Sequence, residues 1–563
     1  MGRGLDAKTR QVRRTRRIEA VALALLAVLP IVPYLTTLIR TGVPRFELFG
    51  DWAGLEQATR QVSSGETLVG APSRFDWSHP GPFFFYVAAP LSSLFGTAST
   101  GIYVAACLVN AASAATVVAC TRLFARRPHA IAAFLVVLAW FVAFGNVAAN
   151  PWSPLLVVLP LVAFLVTAAL FARGKSAAVY PTVVFGSFVT QTWVTAAGAV
   201  VVCGLVATAV FIVGARRRGV VAPNKHWLAR DDGWRLAIAA SLLLVMFVPP
   251  LVDQITSPVG NITKLWRFFV RRETPLNPIG VATQHWTEAT AWLPSRLVGR
   301  AMLTDGLVPL IARPEPLPSG VTITTKTIAM AHVGAITIAG LVALRRRDVV
   351  SMSLLAFGAL ASAMTVASLQ TIIGPARHYL VFWATASSTV AWMGVLSTLL
   401  SSVAAAAKNV PRLSAALVPL LIVLGLAGAV TTTSLQRQWF ATHPIAPGSR
   451  PAMREDLHAI HVALKDRLVR DGSTPLIHLE GSSDVASAII LELEKDHADV
   501  RISEDDRWAF AGGRGGRALA NPLHLWFATS AMPLPIAECL SLVSKSGDIA
   551  MYGAPAAVTT CPK

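Results

Sequence analysis

Residues Trp152 to Ala172 read WSPLLVVLPLVAFLVTAALFA, uncharged from end to end and closed by Arg173 and Lys175. About 20 mostly apolar residues carry an α-helix across a bilayer, so this stretch reads as a membrane span. Comparable runs lie at 18 to 40, 100 to 121, 129 to 148, 177 to 192, 194 to 214, 235 to 253, 327 to 344, 349 to 372, 378 to 400 and 412 to 433. The expected fold is therefore mainly α, a polytopic bundle of about eleven spans. Composition agrees, with 54% of the 563 residues hydrophobic and 14% charged, against about 25% charged in a typical soluble protein. Residues 83 to 95 are apolar too, but they are few and bracketed by Pro80, Pro82 and Pro90. That segment reads as interfacial or re-entrant.

Forty-nine Lys and Arg against 30 Asp and Glu give a net charge of +19. In a soluble chain so basic a balance would suggest nucleic acid. Here the cations sit in short clusters between apolar runs, with no basic groove interleaved with aromatics, which excludes a nucleic-acid partner. With eleven spans the clusters at Arg122, Arg126 and Arg127, at Arg173 and Lys175, at Arg216, Arg217 and Arg218, and at Arg345, Arg346 and Arg347 fall on one side with the basic N-terminus. By the positive-inside rule that side is cytoplasmic. Residues 1 to 17 are then a cytoplasmic segment, and 18 to 435 a transmembrane domain with outer loops at 41 to 99 and 254 to 326. The run from Ile18 is too long for a signal-peptide core and reads as a retained first helix. Lys264, Arg267, Arg271 and Arg272 are an exception in a long outer loop, where the rule weakens; they suit a basic interfacial helix on anionic lipid.

Residues 436 to 563 have ordinary charge density and soluble-type patterns, the mark of a separate extracytoplasmic domain. Pro475 to Leu479, Trp526 to Ala528 and Ile549 to Tyr552 read as strands. Asp484 to Asp496 reads as a helix, with apolar residues at Val485, Ile489, Ile490 and Leu493 and with Ser482 and Ser483 as caps. A small α/β fold is expected. Of five cysteines, Cys107, Cys120 and Cys203 lie in apolar runs as packing residues, leaving Cys539 and Cys561 as the pair able to bridge. Asn261-Ile262-Thr263 matches a glycosylation sequon of the kind that arises often by chance.

Functional side chains concentrate in the first outer loop: Phe49-Gly50-Asp51, then Gly70-Ala71-Pro72-Ser73-Arg74-Phe75-Asp76-Trp77-Ser78-His79-Pro80-Gly81-Pro82. Taken alone, these residues suit an interfacial anchor, with Trp in the aromatic belt, Arg on lipid phosphate and Asp51 as a helix cap. They also supply the carboxylate and cations of a catalytic site. Glycine-rich Gly512 to Gly516 lacks the Lys-Ser/Thr ending of a phosphate-cradling loop and reads as an ordinary loop. Scattered His79, His129, His285, His332 and His378 form no zinc-type spacing, so no metal site is expected from the histidines.

The loop resembles membrane glycosyltransferases of the C-type fold, the superfamily of protein O-mannosyltransferases and aminoarabinose transferases, whose members have an acidic residue just after the first helix, matched by Asp51. It is similar above all to poorly characterised bacterial members with Gly-Asp and then Gly-Pro-Tyr-Ser-Arg-Phe-Gly-Trp-x-His-Pro-Gly-Pro. Gly50-Asp51, Ser73-Arg74-Phe75, Trp77 and His79 to Pro82 match, while Ala71-Pro72 and Asp76 depart. Asn150-Pro151-Trp152, Gly186-Ser187-Phe188 and Gln191-Thr192 also resemble that set, with Trp193 where related chains often have His.

The resemblance implies transfer of a sugar from a polyprenyl-phosphate donor to a glycan, lipid or protein acceptor at the outer face. Such a donor carries its own leaving group, so no cofactor is required, although some C-type enzymes use a divalent cation, which would sit at Asp51. Asp51 is the expected general base in a single inverting displacement. Arg74, Trp77, His79, Gln191, Arg377, His378 and Tyr379 are the expected substrate-binding residues, with cations for the phosphate. Asp253 and Asp76 are the next acids in line, with capping and structural roles the more ordinary readings. The rival class is a carrier or flippase for lipid-linked sugars, but the spans hold no carboxylate near a helix centre and the chain shows no inverted repeat. A scaffold whose tail recruits envelope partners is the third reading.

Overall fold

The structure is a computed structural model describing residues 2–221, 230–272, 274–290, 323–374, 377–406, 419–420, 422–434, 450–503, 522–534 and 540–555. Among these, seven helices are long and apolar enough to cross a membrane: Arg10–Thr41, Thr100–Phe124, Arg127–Phe144, Ser153–Ala172, Val194–Arg217, Val349–Leu369 and Tyr379–Ala406. Asp232–Met246 and Val248–Thr256 make an eighth if taken as one broken span. The chain is a mainly helical, multi-pass membrane protein.

The expected span at 177 to 192 comes out shorter. Val179–Thr192 has 14 residues, about 21 Å at 1.5 Å per residue, short of a hydrocarbon core about 30 Å thick. The expected span at 327 to 344 falls within the 23-residue helix Ile323–Arg345, and within 412 to 433 Ile422–Ser434 is an apolar helix among the described residues. Phe83–Leu94, with 12 residues, reaches about 18 Å and cannot cross. Cys539, Cys561, Gly512 to Gly516, residues 291 to 322 of the long loop and the expected boundary near 436 lie outside the described residues.

The chain forms two compact units, and their division differs from the expected one. The first comprises Met1–Thr36, Ala106–Val248 and Phe269–Ala441; the second comprises Thr37–Ala105, Pro249–Phe268 and Thr442–Lys563. Residues 41 to 99, expected as the first outer loop, thus belong with the C-terminal residues, because Phe49 is buried in their core with Ile477, Val485, Ile489 and Phe527.

The first unit is an apolar helical bundle. Val349–Leu369 and Thr385–Ala406 approach at backbone distance: a Cβ on Gly358 would lie 2.8 Å from the Ala391 nitrogen, and one on Gly394 2.7 Å from Leu355 Cγ. Small residues at such a contact let membrane helices pack by dispersion. Glu19 pairs with both Arg122 and Arg127, and His129 Nε2 lies 3.0 Å from Asp348 Oδ1. Each of these ionisable groups has a partner, as an apolar medium requires.

The second unit holds a five-stranded sheet, β1 (Thr474–Gly481), β2 (Arg501–Ile502), β3 (Pro522–Ala528), β4 (Ser541–Ser546) and β5 (Ile549–Pro555), in the order β2-β1-β3-β5-β4. β1 runs parallel to β2 and β3; β5 is antiparallel to β3 and β4. One face packs on Arg454–Asp471 and Ser483–Lys495 through Leu457, Ile460, Leu464, Ile489 and Leu493. Strand alternation sorts the side chains: Ile477 and Leu479 enter this core, while His478 stacks with Trp526 on the opposite face at 4.2 Å between ring centroids. Ser482 occupies the N-cap of Ser483–Lys495 but makes no side-chain capping bond, so the expected serine cap is not formed.

Candidate active-site loop

Gly50–Arg60 is a helix, and Asp51 lies exposed in its first turn. Phe49 holds the N-cap position with no side-chain capping bond, so Asp51 is not the cap that its ordinary reading would make it. The positive end of the helix dipole favours its carboxylate. Gly50 has φ +51°, and a Cβ there would lie 2.7 Å from Asp484 Oδ1, so both backbone conformation and close approach call for glycine. This helix is tied onward through Thr67, whose hydroxyl donates to Ala58 O at 2.8 Å and whose carbonyl accepts from the Tyr86 hydroxyl at 2.9 Å.

The motif itself closes as a small hairpin-like loop. Gly70 N donates to His79 O at 2.9 Å, His79 N to Ala71 O at 2.8 Å, and Ser73 N to Trp77 O at 2.8 Å. Asp76 turns the chain at φ +58°. That left-handed position is one glycine adopts freely, and Asp is among the few other residues that tolerate it. Its carboxylate pairs with Lys264 at 2.9 Å, which gives Asp76 a structural part rather than a basic one.

Arg74 is exposed, its guanidinium carbon 4.9 Å from the Phe75 ring centroid, a cation–π seat. Phe75 and Trp77 lie 5.0 and 5.4 Å from Phe268, and Trp77 meets His79 edge-on at 5.7 Å. His79 departs from expectation. It is buried, and burial pushes its imidazole down to about 3, so it is neutral at physiological pH and cannot supply positive charge to a phosphate. It packs against Trp77 and shapes the loop.

Asn261 completes the arrangement, a part that the sequon reading of Asn261-Ile262-Thr263 does not give it. Its Oδ1 accepts from Ser78 N at 2.8 Å and its Nδ2 donates to Ser78 O at 2.8 Å. The side chain therefore mimics a strand against the motif and is buried, which removes it as a glycosylation acceptor. Asp253 supports it, one oxygen accepting from Asn261 N at 2.8 Å and the other from the Ser257 hydroxyl at 2.9 Å. With both oxygens engaged at the start of the Asn261–Val270 helix, Asp253 has the capping role. A short polar residue opening an amphipathic helix was the available sequence signal.

Asp51, Arg74, Trp77 and His79 share the second unit; Gln191, Arg377, His378 and Tyr379 belong to the first. Gln191 is wholly buried and donates to Ser187 Oγ and to Met246 O, both at 2.9 Å. The latter carbonyl ends Arg230–Met246, so Gln191 satisfies a backbone group at a helix break. Tyr379 packs on Trp152 at 4.7 Å, bringing the Asn150-Pro151-Trp152 and Arg377-His378-Tyr379 segments together. Arg377 Nη1 is buried without a hydrogen-bond partner among the described residues. Arg272, by contrast, donates to the Thr274, Pro275 and Thr371 carbonyls. Among the described residues no three His, Cys, Asp or Glu side chains come together as a metal-ligand set; a cation at Asp51 would take most of its ligands from substrate and water.

No protein-family model matches the chain, and no curated protein does. Among solved structures it is similar to ArnT from Cupriavidus metallidurans bound to undecaprenyl phosphate, at 14% identity over 95% of this chain and 97% of that one, with a TM-score of 0.46. The apo state of the same protein aligns at 13% identity over 97% and 98%, with a TM-score of 0.37. Neither likeness is close enough to carry fold or function.

Proposed function

We propose that this protein is a membrane glycosyltransferase that moves a sugar from a polyprenyl-phosphate donor to a cell-envelope acceptor on the outer face, with the N-terminus cytoplasmic and the C-terminal residues outside. The observation that carries the reading is that one compact unit holds both an exposed carboxylate in the first turn of a helix, Asp51, and the exposed, ring-seated guanidinium of Arg74. Asp51 takes the acceptor hydroxyl's proton, and the freed oxygen attacks the anomeric carbon opposite the phosphate. The bond to the phosphate oxygen breaks, the configuration inverts and polyprenyl phosphate leaves with the electron pair. Arg74 holds phosphate oxygens through that change, where its fork geometry and fixed charge stabilise the departing anion. Half-buried Phe75, stacked on Trp77, offers an aromatic surface to the sugar or lipid, whereas Trp77 itself is buried and supports it. The donor brings its own leaving group, so the reaction needs no cofactor.

The test is transfer by purified protein from polyprenyl-phosphate sugars, followed by mass spectrometry of the product. Asp51→Asn keeps size and inserts normally but should lower turnover by about 10² to 10⁴ with donor binding retained. Arg74→Ala should weaken donor binding as well as turnover, because its charge is felt before and during transfer. Wild-type protein that moves the lipid across a bilayer without breaking the sugar–phosphate bond would put the carrier reading in its place.

A further inference from the structure

The helix that carries Asp51 is fastened to the C-terminal helix Ser483–Lys495 along its whole length by buried polar groups. At its entry, Phe46 N donates to Glu492 Oε1 at 3.1 Å, Arg45 Nε to Glu492 Oε2 at 2.7 Å, and Arg45 Nη2 pairs with Asp496 at 2.8 Å. Phe49 is buried in the C-terminal core, and Asp484 abuts Gly50. Further along, Gln57 Nε2 donates to Ser487 O at 2.6 Å and Gln61 Nε2 to Glu494 Oε1 at 3.1 Å.

The centre of the fastening is Lys495, whose side chain is fully buried. Its ammonium donates to Glu492 Oε1 at 2.8 Å and to Ser99 Oγ at 3.0 Å, and lies 3.6 Å from Glu56 Oε1. Glu56 is itself fully buried and accepts from Arg60 Nε and Nη2 at 2.9 and 2.7 Å. Burial alone would raise the Glu56 carboxyl, but Lys495 and Arg60 overcome it and hold the group below the usual carboxylate range. Glu56 therefore stays charged.

Buried ion pairs contribute little net stability compared with apolar packing of the same volume, since desolvation opposes their attraction. What they contribute is geometry, because each charge tolerates few positions for its partners. Here the geometry fixed is that of a single helix, and Asp51 sits in its first turn. Catalysis is sensitive to placement: a shift of about 1 Å can cost about 10²-fold in rate.

We propose that Lys495, acting through Glu56 and Glu492, is a positioning residue that sets the Asp51 helix, so that the C-terminal α/β fold serves as a mount for the catalytic base. The inference rests on Asp51 being the base. Loss of the mount should lower kcat and leave the donor KM near its wild-type value.

The experiment compares full-length Lys495→Met, Lys495→Arg and Asp51→Asn in the lipid-phosphate-sugar transfer assay, with hydrogen exchange followed at residues 50–60 and in β1, β3 and β5. Lys495→Met should reduce kcat about 10- to 100-fold with KM within about twofold. Exchange should rise in residues 50–60 and not in the strands, and Lys495→Arg should recover part of kcat. Wild-type kcat in Lys495→Met, beside an inactive Asp51→Asn, overturns the proposal and leaves the function standing; an active Asp51→Asn overturns both. If Lys495→Met loses strand protection as well, Gln57→Met decides, since it removes one neutral tie and strands no charge. A selective fall in kcat there supports the mount, and unchanged kinetics overturns it.

Discussion

At the scale of single residues, the motif loop separates chemistry from support. Asp51 and Arg74 are exposed, whereas His79, three residues from the exposed Asp76, is buried and held neutral. The sequence shows a histidine two residues after a tryptophan; it does not show that the hairpin turns the imidazole inward, because that depends on Asp76 at positive φ and on Asn261, remote in sequence. A pH dependence follows. With the folded imidazole near 3 and the unfolded one near 6.5, the unfolded chain takes the proton first as pH falls. The stability His79 confers as a neutral group is complete above 6.5 and declines from there toward 3, at about 1.4 kcal/mol per pH unit, or about 2 kcal/mol by pH 5. Thermal melts of wild type and His79→Asn at pH 7 and pH 5 should show the gap between them narrowing on acidification. A gap that stays constant would mean the imidazole is reached by protons in the folded loop.

At the scale of elements, apolar runs were legible because a span is a local property: the Ser153–Ala172 helix needs only its own residues to announce itself. Strands in the C-terminal region were legible for the same reason, through alternation, and Pro475 to Leu479 lies within β1 as expected. Contacts between elements were not. Arg45 and Glu492, 447 residues apart, leave no pattern in either neighbourhood, and Glu492 looks like one polar interruption between Leu491 and Leu493. The Asn261 clasp belongs to this class. Asn261→Ala should free the Ser78 N–H and carbonyl, weakening the loop by about 1 to 3 kcal/mol as the buried groups lose their partner. Asn261→Asp should do nearly as much harm, since it keeps the acceptor and loses the donor. Protease cutting at Arg74 is a direct readout, and equal resistance in wild type and both variants would show that the hairpin holds itself together.

At the scale of the whole molecule, residues far apart in the chain share one folded unit. The expected boundary treated the first outer loop as part of the membrane domain and the tail as an attachment; instead the loop contributes Phe49 to the tail's core and depends on it for charge balance. Glu47 shows the cost. Burial raises its carboxyl, with Arg454 only partly opposing the shift, so without Arg454 the acid would have no cation at 3.2 Å to justify ionisation there. A chain ending at residue 441 would remove Arg454, Glu492, Lys495 and Asp496 together, leaving Glu47, Arg45 and Phe49 without their partners. Of its two cations, Glu56 would keep only Arg60. Truncation should therefore unfold residues 45–61 rather than simply delete a tail, because leaving buried charge unpaired is far more destabilising than losing an exposed pair. The expected outcome is new proteolytic cleavage at Arg45 and Arg60 and loss of sugar transfer, while the bundle retains its own pairs, Glu19 with Arg122 and Arg127. A truncated protein that resists cleavage at both arginines would show that the loop folds independently, and the shared core would then follow from loop folding rather than direct it.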